Sequence, residues 1–411
     1  MRRRKLPAAV TSFCAWALLC AATLYAQDWP QWRGPNRDGA VASFREPSPW
    51  PEALKQQWKV EVGLGYATPL VVGDRLYLFT RQGEEEVMTA VDVTSGKVIW
   101  RTGYSLPFKP TSAAARHGAG PKSTPAYANG RLFSLGMTNV VTAFDAASGK
   151  QLWQKPATTA QPMYHTAMSP LVDGSMMIVH VGGPGDAALT AFDVATGTVR
   201  WTWTGDSPAY GSPIVANLGG TRQLITFTHQ NMVGVSIADG ALLWRRPFRT
   251  PSDTTAQTPI IFRDTVIQNG RDNGVTAFRV VRRDGGWTTE DVWQTKEVSL
   301  HMTNGVVSDG VLFGLSHLNA GQYFALDLTN GTVLWKSEPR QAENAAMVRA
   351  GATIFSLEDD AELVVMKANR TGLNVVRRYD VGDSATWAQP AITGNRIFVK
   401  DLAHLTLWTI G

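Results

Sequence analysis

Only two cysteines occur in the 411 residues, Cys14 and Cys20. Both lie in an N-terminal segment that reads as a removable leader. Without it the chain holds no disulfide, no thiolate metal site and no cysteine nucleophile, so its stability rests on packing. Charge is sparse too: 18% of residues are charged against 44% hydrophobic, which excludes a disordered chain. Beyond the leader no apolar run is long enough for a membrane-spanning helix. No glycine-rich loop has phosphate-binding spacing, and Gly182-Gly183-Pro184-Gly185 reads as a loop between strands. The histidines His117, His165, His180, His229, His301, His317 and His404 show no metal-ligand spacing.

The leader is read as residues 1–26. Arg2, Arg3, Arg4 and Lys5 precede an apolar stretch from Leu6 to about Leu24, and Ala26 is the expected cleavage residue. A lipid anchor on Cys20 is disfavoured, because Leu19 stands where a small residue is wanted. The leader implies export, so the expected location is the periplasm or the medium outside the cell. Four of the 39 basic residues lie in the leader, so the rest of the chain carries 35 against 34 acidic ones. That balance leaves no electrostatic footprint for nucleic acid.

What the sequence does have is a repeat of about 45 residues. Ala90-Val91-Asp92 through Gly96 to Trp100 matches Ala143-Phe144-Asp145 through Gly149 to Trp153. The pattern returns at Asp193, Gly197 and Trp201, and at Asp327, Gly331 and Trp335. Residues before each Asp alternate as in a strand. Asp opens a tight turn, Gly supplies the positive φ that closes it, and Trp ends the next strand, where it suits packing between sheets. The fourth unit reads as having a shortened turn, Asp239-Gly240, and the fifth as a longer hairpin over Arg282–Gly286. The seventh is the most worn, with Tyr379 standing for the tryptophan.

A second signature, Thr/Ser-Pro, opens five units, at Thr68-Pro69, Thr124-Pro125, Ser169-Pro170, Ser212-Pro213 and Thr258-Pro259; Gln389-Pro390 opens the last, and Thr303-Asn304 and Met347-Val348 stand in its place in two worn ones. Proline lacks a ladder donor and belongs at a strand start. Strand starts fall near 69, 125, 170, 213, 259, 304, 347 and 390. The last unit has room for only three strands. The strand around Trp58, over Gln56–Val62, supplies the fourth and closes the ring, which removes unpaired edges. The expected fold is therefore all-β: an eight-bladed β-propeller of four-stranded antiparallel blades over 55–411, closed by an N-terminal strand. Residues 27–54 form an arm whose tryptophans dock on it.

These units, the Thr/Ser-Pro starts and the eight-fold count resemble the pyrroloquinoline-quinone (PQQ)-type repeat propellers. The resemblance spans about residues 55–411. Asp28-Trp29-Pro30-Gln31-Trp32-Arg33-Gly34-Pro35-Asn36-Arg37-Asp38-Gly39 also looks like the leading motif of secreted bacterial members. The resemblance implies one of two functions. One is a binding or scaffolding module similar to the outer-membrane assembly-factor propellers. The other is a quinoprotein dehydrogenase acting on alcohols or sugars, with PQQ and calcium at the ring centre. The missing cysteine pair and the minimal blades favour the first. The expected protein is thus a monomer with no cofactor, meeting an envelope protein or a small molecule.

In a propeller, residues just before each innermost strand ring the tunnel mouth. Three positions before each proline slot stand Tyr66, Lys122, Ala167, Tyr210, Ala256, His301, Asn344 and Trp387, with His165 and Gln257 close by. The ligand set expected from this ring is Tyr66, Lys122, His165, Tyr210, Gln257, His301, Asn344 and Trp387. It suits a flat ligand stacked on the aromatics, with Lys122 and His301 meeting an anion. No catalytic set and no metal ligands emerge. Glu84-Glu85-Glu86 reads as a solvated hairpin tip, and Glu358, Asp359, Asp360 and Glu362 as a surface turn.

Overall fold

In each Asp-to-Trp unit the carboxylate organises the turn. Asp92 Oδ1 accepts from both the backbone N–H and the hydroxyl of Ser95, each at 2.7 Å. Asp145 does the same with Ser148, and Asp193 with Thr196. Gly96, Gly149 and Gly197 follow at φ 71°, 74° and 69°, a region open to glycine without strain. The fourth unit is not shortened. Ser236 holds the Asp position and Asp239 the Ser position, and Gly240 N–H still donates to Ser236 O at 2.9 Å. The two polar residues have exchanged places in a turn of unchanged length.

The glycines have a second reason. A Cβ on Gly149 would come within 2.4 Å of Trp100, one on Gly197 within 2.7 Å of Trp153, and one on Gly240 within 2.5 Å of Trp201. Each indole thus lies on the next unit's turn. Its Nε1 donates to a carbonyl there: Trp100 to Ala146 O at 3.2 Å, Trp153 to Val194 O at 3.2 Å, Trp201 to Ile237 O at 3.1 Å. Trp58, Trp293 and Trp335 repeat the contact. The fifth unit has the long hairpin instead of the turn, so Trp244 donates within its own blade, to Gln223 Oε1 at 2.7 Å. In the seventh unit the strand register places Arg377, not Tyr379, in the tryptophan slot. Tyr379 reaches instead for the arm, donating to Pro51 O at 2.7 Å. Trp408 of the last unit makes that lock in reverse, onto Val381 O.

The computed structural model describes residues 27–411. The expected leader and both cysteines lie outside that range. The described strands form eight blades of four antiparallel strands, with a fifth, parallel strand added to one. The innermost strands begin at Leu70, Ala126, Leu171, Ile214, Ile260, Val306, Ala345 and Ala391. Closure comes from Lys55–Glu61, which pairs antiparallel with His404–Thr409 and sets Trp58 opposite Leu407. Apolar cores lie between adjacent blades, as where Tyr77, Phe79 and Ala90 meet Leu132 and Phe144. Glu86 is part of such an interface, not of a solvated tip. It is fully buried and accepts from Tyr104 Oη at 2.5 Å and Met137 N–H at 2.8 Å.

The Thr/Ser before each proline makes a belt around the tunnel. Thr68 N–H donates to Thr124 Oγ1, Thr124 N–H to Ser169 Oγ and Ser169 N–H to Ser212 Oγ, at 3.0, 3.0 and 2.9 Å. Each hydroxyl satisfies a buried amide of the preceding blade, a group that is costly to leave unpaired. The belt changes at the fifth blade, where Thr258 Oγ1 accepts from Trp32 of the arm at 2.8 Å.

Candidate functional site: the plugged tunnel and its mouth

Residues 29–41 enter the tunnel and turn back within it. Trp29, 1% exposed, pairs through its backbone with Val71 of the first blade. Pro30 O accepts from Tyr127 N–H of the second. Arg33 donates to Asn304 O at 3.1 Å and Gly305 O at 2.7 Å of the sixth blade, and to Asp38 O and Arg37 O of the arm itself. Arg37 donates to Pro170 O and Ser169 O of the third blade, at 2.9 and 3.2 Å, and to Gln31 Oε1. Ala40–Val41 then pair in parallel with Arg349–Ala350 of the seventh. The leading motif is therefore a plug, held by its arginines as well as by the docking of its tryptophans. Two arginines fit there because each guanidinium carries five donors, and inner-strand starts offer carbonyls that lack a ladder partner. Both are buried with no carboxylate bond among the described residues, and burial lowers Arg33 to about 10 and Arg37 to about 9.

Trp32 faces the tunnel mouth. There a cavity of about 310 Å³ is lined by the ring residues Tyr66, Lys122, Ala167, Tyr210, Ala256, His301, Asn344 and Trp387, together with Trp32, His117, Tyr164 and Arg271. A second cavity of about 560 Å³ shares His117, Arg271, His301, Asn344 and Trp387 and adds Arg116, His317 and Glu343. Two expected residues are not on these walls. His165 is 7% exposed, and its Nε2 accepts from Thr111 N–H at 3.2 Å, so it anchors the segment after the first blade. Gln257 is 1% exposed, because the fourth blade packs over it: a Cβ on Gly211 would lie 2.0 Å from Gln257 O. Offset from the proline slot found the ring but not which way each neighbour faces.

Two of the residues that sequence reasoning missed, Arg116 and His117, come from an insertion. Leu106–Pro121, between the first two blades, reaches across the mouth. Its Arg116 grips Glu343 through two bonds of 2.6 Å and lies 5.4 Å over the Trp387 ring. His117 meets the same ring edge-on at 4.7 Å. Trp32 carried a usable signal, being in the leading motif; Arg116, His117, Tyr164, Arg271 and His317 carried none.

Burial sets the charge of this site. Lys122 is lowered to about 8, with its ammonium on Tyr164 O at 2.8 Å. His117 is lowered to about 4 by burial and then by Lys122 and Arg116; His301 reaches about 4 by burial and then by Arg271 and His317. Tyr210 is pushed up to about 12 by burial. At neutral pH the wall carries Lys122, Arg271 and Arg116 against Glu343, which Arg116 holds below its usual range. The histidines are neutral. Such a surface takes a flat or anionic partner. A quinone's carboxylates would suit Lys122 and Arg271, but calcium asks for six to eight oxygens. Glu343 is tied to Arg116, and among the described residues no three His, Cys, Asp or Glu converge as metal ligands. The donor set does not fit a resident calcium. The acidic run further on is also engaged: Glu358 accepts from Tyr323 Oη, Asp359 from Asn344 N–H, and Glu362 pairs with Arg378.

A family model described as outer membrane protein assembly factor BamB matches residues 83–337. The chain belongs to that family. Its repeats are the PQQ-type units read above. BamB of Yersinia pestis is 27% identical over 256 residues, 60% of this chain and 63% of that protein. The chain thus spans just under two thirds of that relative's length. The solved structure of BamB from Moraxella catarrhalis superposes with a TM-score of 0.61 at 14% identity, covering 87% of this chain and 100% of that one. Quinohemoprotein alcohol dehydrogenase from Comamonas testosteroni gives 0.68 at 15%, covering 93% and 80%. At such identities these two likenesses are of fold.

Proposed function

We propose that this chain is an exported propeller acting as a binding or scaffolding module of the bacterial cell envelope, on the plan of the assembly factors in its family. The observation that carries this reading is the state of the mouth. Its carboxylate Glu343 is neutralised by Arg116, its histidines are uncharged, and Trp32 of the plug stands at its floor. That is a surface for holding a partner, with no acid–base pair poised for chemistry. Tyr66, Lys122, Tyr210, His301, Asn344 and Trp387 are the residues the partner meets. The PQQ-type repeats and the cationic, aromatic mouth favour a second reading, a quinone-dependent oxidoreductase acting on alcohols or sugars.

A photo-crosslinker at the mouth of the full chain in cells, followed by fractionation, separates the two. The scaffold reading expects one reproducible envelope partner whose crosslink fades at least about fivefold in Trp387→Ala, as for an aromatic anchor at an interface. Stoichiometric binding of PQQ with calcium, with dye-linked alcohol oxidation, would overturn it. N-terminal sequencing of the exported form tests the expected start at Gln27.

A further inference from the structure

The plug does not fill the tunnel. On the side of the fourth to seventh blades a separate cavity of about 370 Å³ remains, sharing no lining residue with those at the mouth. One wall is apolar: Ile214, Val215 and Ala216 of the fourth blade, Ile260 and Ile261 of the fifth, Val307 of the sixth. Inner strands that merely packed on a plug would bury these side chains, yet Val215, Ala216, Ile260, Ile261 and Val307 stay partly exposed. The other wall is cationic, with Arg33, Arg37 and Arg349 against the single carboxylate of Asp38, which accepts from Ala40 N–H at 3.0 Å.

The donors on that wall are unevenly used. Arg33 spends its guanidinium on four carbonyls. Arg37 is only 6% exposed, yet its Nε has no partner among the described residues, and neither has the buried Nε of Arg349. Burying a polar donor without an acceptor is costly, more so on a cation. The Nε edge of a guanidinium is also the edge that receives a carboxylate side-on. We propose that this cavity binds a small aliphatic carboxylate, its head on Arg37 and Arg349 and its tail on Ile214, Ile260 and Val307. An acid of this kind matches both walls, whereas a bare oxyanion matches one and an alcohol the other. The site is independent of the partner reading for the mouth.

Calorimetric titration of the full exported chain with octanoate tests this, with octanol and inorganic phosphate as the arms lacking head or tail. The expected result is one octanoate per chain, bound at least about tenfold more tightly than either control. Arg349→Gln removes a free donor while leaving the backbone pairing of Arg349 with the plug intact. It is expected to weaken octanoate roughly ten- to a hundredfold. Ala216→Phe fills the cavity and is expected to abolish binding, with thermal melts reporting that the fold is kept. Should that variant fail to fold, Val307→Phe serves instead. No octanoate binding, phosphate binding as tightly as octanoate, or a folded Arg349→Gln that binds like the unmodified chain would each overturn the proposal.

Discussion

At the outer rim Trp58, Trp100, Trp153, Trp201, Trp293 and Trp335 each make one and the same contact, an indole N–H given to a carbonyl of the next blade. Inside the tunnel the arm does something different at almost every blade: a backbone pairing at the first, two guanidinium bonds at the third, an indole at the fifth, two more guanidinium bonds at the sixth, a parallel strand at the seventh. The rim solves a problem that recurs eight times, so its solution recurs. The tunnel is a single place viewed from eight sides, so a segment filling it must meet each side on its own terms. Periodicity marks scaffold chemistry here, and departures from it mark what is specific to this protein. Both the rim lock and the hydroxyl belt change at the fifth blade, the one carrying the long hairpin and the hydroxyl that accepts from Trp32.

The largest effect that separates rim from tunnel is expected in the plug. Arg33→Ala leaves four carbonyls without their donor in a buried site and opens a void. Denaturant titration should report a loss of about 3–5 kcal/mol. A loss under about 1 kcal/mol, the range of ordinary surface changes, would reduce the arm to an appendage.

At the rim, Gly149→Ala combines a left-handed φ with a Cβ 2.4 Å from Trp100, whereas Gly130→Ala has nearly the same φ, 75° against 74°, and open space. The first is expected to cost about 2–4 kcal/mol and the second about 1 kcal/mol. Equal losses would mean that the indole contributes nothing to the lock.

The smallest effect concerns protons. His180 is fully buried in the third blade and lowered to about 4 by desolvation, against an unfolded value of 6.5. Between those two values the unfolded chain binds the extra proton, so stability is complete above about pH 6.5 and declines as pH falls toward 4. Denaturation at pH 7 and pH 4.5 should differ by about 1–3 kcal/mol through this residue. His180→Gln should flatten the slope more than His301→Gln, because the mouth is partly open to water. The reverse order would place the acid sensitivity at the mouth.

Much of this was legible in advance, for a physical reason. Asp92, Gly96 and Trp100 act through local geometry and through the next copy of themselves, so the pattern states the contact. The mouth ring followed from a fixed offset to each proline slot. Offsets failed where orientation mattered, as at His165 and Gln257, and where an insertion brought in a residue from afar, as with Arg116 and His117. Glu86 shows the same failure. Three glutamates in a row look solvated until a neighbouring blade supplies Met137 N–H.

By itself the amino-acid sequence determined the number of blades and the lock between neighbours, because each depends on residues a fixed distance apart, and the closing strand, because the last unit has room for only three. The tertiary structure alone decided that Arg33 and Arg37 lie inside the ring. Their partners are carbonyls of Asn304, Gly305, Ser169 and Pro170, groups every residue owns and no side chain advertises. Only the folded ring, by leaving those carbonyls unpaired at its centre, gives the two arginines a reason to be there.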